Sequence, residues 1–112
     1  MLVEELFMQQ IGRALILTGQ ERSIPEIQRV LTDREAYLRL ENDRRLPFSN
    51  RQGLLLHRRW AELPEGALEW IRTIGLVNLY LKQPEFQART ERFWSITEQT
   101  CGELGAFCSP AS

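Results

Sequence analysis

The chain of 112 residues is 43% apolar and 26% charged with a formal net charge of -1, an ordinary composition for a globular protein that gives no global attraction to nucleic acid or membrane. At this length one domain buries roughly 65% of its unfolded surface, enough for a core without metal or cross-links. With Cys101 and Cys108 as the only cysteines and His57 as the only histidine, a tetrahedral zinc site lacks ligands.

The N-terminus is acidic at Glu4 and Glu5 where a signal peptide would be basic, and the apolar run 14–17 is too short to span a bilayer. This predicts a cytoplasmic protein. Val3, Leu6, Phe7, Ile11, Ala14, Leu15 and Leu17 recur at helical spacing, and Gly19 stands where a helix C-terminus uses it, which predicts a first helix over 2–18. Ser23, Pro25 and Glu26 form a capping box that starts a second helix.

The inner face of that helix reads Ile27, Val30, Leu31, then Tyr37 and Leu38, but Thr32 and Glu35 form a second capping box at which a new helix can begin. One kinked helix to Glu41 and two short ones both fit. Leu46-Pro47 closes the segment, because the residue before proline is pushed out of the helical region. Ser49 and Gln52 give a third capping signature and predict a helix over 50–62. Leu54, Leu55 and Leu56 are consecutive there, so one buried face cannot take all three, and Leu54 is the residue we expect to face outward.

After the turn at 63–66, the stretch 66–82 predicts a central helix. At ~100° per residue its apolar face is Ala67, Trp70, Ile71, Ile74, Val77, Asn78 and Leu81, and Glu69, Arg72 and Thr73 form a narrow polar strip. Asn78 lies within that face, where a buried amide without a partner costs ~1 to 3 kcal/mol; a structural bond to a neighbouring helix is expected. Gln83-Pro84 stops the helix. Phe86, Thr90, Phe93, Trp94, Thr97, Cys101 and Leu104 then predict a last helix over 84–104, frayed by Gly102 and Gly105. If one helix carries both cysteines they stand ~10 Å apart, beyond disulfide reach, and two reduced, partly buried thiols are expected.

No period-two alternation, internal repeat or low-complexity tract occurs. The fold class is therefore all-α: one compact domain over 1–106 made of five helices, or six if the chain breaks near Thr32, with a loosely held tail at 107–112.

No constellation for catalysis is legible. His57 has no neighbouring acid in its helix and no glycine-rich turn nearby, which reads as a partly exposed helix residue, and phosphate-cradling glycine patterns are absent. No enzyme, cofactor or metal is expected. The sharpest charge feature is the span 44–61, where Arg44, Arg45, Arg51, Arg58, Arg59 and His57 occur with no acid, interleaved with Phe48 and Trp60. Such clusters bind phosphate backbones, with aromatics for stacking. The competing account is that Glu41, Asp43, Glu65 and Glu69 of the same domain neutralise the arginines, or that Arg58 and Arg59 pair with another protein. Two functions follow as expectations: a non-enzymatic interaction module, adaptor or small subunit that self-associates or binds a protein partner, with Leu54 in the interface; or a small helical subunit that binds nucleic-acid backbone through Arg44, Arg45, Arg51, Arg58, Arg59 and Trp60.

Overall fold

The computed structural model describes the backbone of residues 3–108 and the side chains of residues 4–101. Within them are six α-helices: α1 (Val3–Leu17), α2 (Ile24–Thr32), α3 (Arg34–Glu41), α4 (Phe48–Trp60), α5 (Pro64–Lys82) and α6 (Gln87–Cys108), with a 3-10 turn at Pro84–Phe86 leading into α6. No strand occurs among the described residues, and the expected all-α class holds.

Local chemistry explains most of the boundaries. Gly19, at φ 67°, takes the left-handed conformation that ends α1, with Gly19 N donating to Ile16 O and Gln20 N to Leu15 O at 3.1 and 2.9 Å. Ser23 caps α2, its hydroxyl accepting from Glu26 N at 3.2 Å. The open choice near Thr32 resolves into two helices: Asp33, in extended conformation, accepts from Glu35 N and Ala36 N. The N-cap is thus Asp33, while the Thr32 hydroxyl donates back to Gln28 O at 2.8 Å.

Two helix starts depart from expectation. The helix predicted from 50 begins at Phe48, after an extended Pro47 that makes no side-chain cap, and Arg51 N donates to Pro47 O at 3.1 Å. Ser49 therefore lies inside the first turn and is not the cap. Likewise α5 starts at Pro64 rather than Gly66, since proline at a first helical position lacks only an N–H that no bond needs. The backbone of α6 continues through Gly102 and Gly105 to Cys108, so the helix includes the start of the expected tail. Residues 109–112 lie outside the described residues. Cys101 is buried and free, and one continuous helix keeps it ~10 Å along the axis from residue 108.

The centre of the bundle is α1, not the 66–82 helix. Both helices pack against α2, α4 and α6 and against each other, but Met8, Ala14 and Leu15 of α1 are fully buried and Phe7 and Ile11 nearly so, whereas the buried residues of α5 are Gly66, Thr73, Val77 and Tyr80. The core continues through Ile27, Val30, Tyr37, Leu40, Leu46, Leu54, Val77 and Phe93. A radius of gyration of 13.5 Å fits one compact globule.

The buried face of α5 also differs from the predicted one. Its buried residues are Gly66, Thr73, Val77 and Tyr80, whereas Ile71 is 65% exposed. On a helical wheel the buried face is rotated ~90° from the predicted one. Polar atoms permit this rotation. Thr73 donates its hydroxyl to Glu69 O at 2.8 Å and Tyr80 donates to Glu5 at 3.3 Å, so neither needs water. Asn78 stands at the border of the face and accepts from Gln28 of α2 at 2.7 Å, the interhelical bond expected of it. Glycine is required at Gly66, where a Cβ would collide with the Trp60 carbonyl at the close α4–α5 corner.

Candidate functional site

The arginines of the span differ in their surroundings. Arg58 donates through Nε and Nη2 to the two carboxylate oxygens of Glu41 at 2.7 and 3.0 Å, a forked pair whose carboxylate side is only 8% exposed. Arg45 is held in the same way by Asp43, at 3.0 and 2.8 Å, on the loop that leads out of α3. The neighbouring guanidinium holds the Asp43 carboxyl below the usual carboxylate range. Arg51 is half-buried, and its Nε has no partner. Arg44 and Arg59 are exposed, with no ion-pair partner among the described residues.

The aromatic component is also committed. Trp60 packs its ring against Phe7 of α1, centroids 5.6 Å apart, and so supports the α1–α4 contact instead of lying open for base stacking. Phe48, 70% exposed at the start of α4, is the solvent-facing aromatic of the span. Of the candidate set Arg44, Arg45, Arg51, Arg58, Arg59 and Trp60, Arg45 and Arg58 are thus held by carboxylates of the same domain, Arg51 and Trp60 are half-buried, and Arg44 and Arg59 stay exposed. Glu41 and Asp43, immediately before the span, neutralise its two best-placed forks.

Leu54 is corrected outright. It is 0% exposed, and its carbonyl accepts the Tyr37 hydroxyl at 2.7 Å. Leu56, at 60% exposure, is the outward leucine. The i+2 offset explains this, because residues two apart stand ~200° apart on a helix and the inward choice of Leu54 forces Leu56 out. His57 is more enclosed than expected, edge-on to Phe7 at 4.4 Å. Burial, and secondarily the charge of Arg13, push its imidazole down to about 4. It is neutral at pH 7 and pairs with no carboxylate among the described residues. No group of three or more metal-ligating side chains occurs among the described residues, and no helix there is long and apolar enough to cross a membrane.

What the structure does assemble is an apolar surface on α5. The exposed residues of this helix include Leu68, Ile71, Gly75 and Leu79, which follow each other at three- and four-residue steps along one outer face. Leu68 is 48%, Ile71 65% and Leu79 43% exposed, and Leu63, just before the helix, is 54% exposed. At the N-terminal end of this face Ile71 forms one edge of an open groove of about 390 Å³, floored by Val30, Leu31, Ala67 and Trp70 and rimmed by Arg34 and Glu62. Polar atoms in the floor are already occupied: Trp70 Nε1 donates to Leu31 O at 3.2 Å. Arg58, already held by Glu41, and Tyr37, whose hydroxyl donates to Leu54 O, also line the groove, which offers apolar contact beside charged groups and suits an inserted side chain.

The exposed face was hidden in the sequence by its composition. The pattern places Ile71 and Leu81 on the inner face, because a helix that is apolar almost all round does not declare which side faces inward. Comparison with family models, with curated proteins and with solved structures finds no match to this chain.

Proposed function

We propose that this chain is a non-enzymatic helical interaction module, an adaptor or small subunit, that docks protein on the outer face of α5 and the groove beside it. The observation that carries the reading is the stripe Leu68, Ile71, Gly75 and Leu79, with Ile71 at 65% exposure. Single exposed apolar residues are common, but a row of them over three turns of one helix face, beside an apolar groove, is the mark of a contact surface. The two forked ion pairs weaken the nucleic-acid reading, since Arg45 and Arg58 already hold carboxylates, and no further observation favours it.

The test is capture of the tagged full chain from its native cells as wild type, Ile71→Glu and Leu56→Glu. The reading predicts a co-purifying protein in near-equal amount, identified by mass spectrometry, that is lost with Ile71→Glu and kept with Leu56→Glu. Recovery of the same proteins with all three variants contradicts it.

A further inference from the structure

We infer that the occupant of the α5 face is a second copy of this chain, packed antiparallel on it about a two-fold axis at Gly75. The inference rests on the reading of that face as the docking surface. Its first support is Gly75 itself. A glycine in the exposed interior of a helix is unfavourable relative to alanine, and within one copy nothing requires it, since a Cβ there would meet open space. A second backbone crossing at this point gives the glycine a purpose, because the absent side chain lets two helices approach closely.

The second support is that the face is complementary to itself. At ~1.5 Å per residue, Ile71 lies ~6 Å on one side of Gly75 and Leu79 ~6 Å on the other. A two-fold axis brings Ile71 of one copy level with Leu79 of its partner. The two project to opposite sides of the stripe, so at each level one fills the half of the seam that the other leaves, as an isologous contact requires.

Charge follows the same symmetry. Glu65 at one end of α5 and Lys82 at the other are exposed, and neither has an ion-pair partner among the described residues. They stand ~15 and ~10 Å from Gly75 along the axis, so antiparallel pairing sets each ammonium within side-chain reach of the partner's Glu65 carboxylate, while the lysine stem covers the partner's Leu68. A parallel arrangement would instead put like charges together.

Sedimentation equilibrium of the full chain, from low to high micromolar, tests this. Wild type should dimerise reversibly, and Ile71→Glu should remain monomeric throughout. Gly75→Gln should raise the urea midpoint in the monomeric range yet weaken the dimer about tenfold, a split that a merely structural glycine would not produce. Lys82→Glu and Glu65→Lys should each weaken dimerisation severalfold, and the combined swap should restore it. A wild type that stays monomeric, a dimer indifferent to Ile71→Glu, or single charge reversals without effect would overturn the inference. A monomeric chain that still captures a different protein through Ile71 would overturn the second copy alone and leave the docking face standing.

Discussion

The forked Arg58–Glu41 pair shows why a basic run in sequence is a poor guide to a basic surface. Both charges were legible, but the angle at which α3 meets α4 decides whether they meet, and the loop 42–47 that sets it is not specified by local patterns. Because the Glu41 carboxylate is buried, Arg58→Met should destabilise the fold by about 2 to 3 kcal/mol in urea titration, whereas Glu41→Gln combined with Arg58→Met should recover most of the loss. His57 gives a second residue-scale test. Its folded imidazole titrates near 4, below the ordinary 6.5 of the unfolded chain, so the unfolded state binds more protons between those values. Stability from this site is fully present above pH 6.5 and is lost as the pH falls to 4, by up to about 3 kcal/mol, and His57→Gln should flatten that part of the profile. The sequence displayed the histidine but not the ring of Phe7 and the charge of Arg13 that fix its protonation. Asn50 is buried at 2% exposure with neither amide atom bonded; Asn50→Leu should therefore be neutral or stabilising by about 1 kcal/mol in the same titration.

At the scale of elements, caps were readable where side chain and backbone act within four residues, and less so where a proline competes. Ser23→Ala and Asp33→Ala should each cost about 1 kcal/mol by leaving helix-start amides without an acceptor, while Ser49→Ala should fall within a few tenths of wild type. Equal losses at all three would restore the later start of α4. The corner into α5 is stricter: Gly66→Ala forces the α4 and α5 backbones apart and should cost more than the ~1 kcal/mol by which alanine would otherwise favour the helix, with the melting midpoint as the readout. The turn signals of Leu63 and Pro64 announced a corner in the sequence. That Trp60 would set its carbonyl against Gly66 required the packed structure.

For the molecule as a whole, helix order was legible, and helix number to within one, because prolines, glycines and short polar caps punctuate the chain at its junctions. The identity of the central helix was not. Helix α1 and the 66–82 stretch are similarly apolar and pack on the same helices, and α1 is the core because more of its side chains are buried. Once α1 is enclosed, the surplus apolar surface falls on α5, and the rotation that buries Thr73 is what exposes Ile71. The functional reading depends on this rotation more than on any other feature, so it should be measured in the monomer, at concentrations too low for self-association. The urea midpoints of Ile71→Glu and Thr73→Glu decide it. Thr73 is 0% exposed and Ile71 is 65% exposed, so Thr73→Glu should lose several kcal/mol or fail to fold for want of any partner for a buried carboxylate, while Ile71→Glu should stay within about 0.5 kcal/mol of wild type. A collapse of Ile71→Glu beside a well-folded Thr73→Glu would return the predicted face to the core and remove the docking surface.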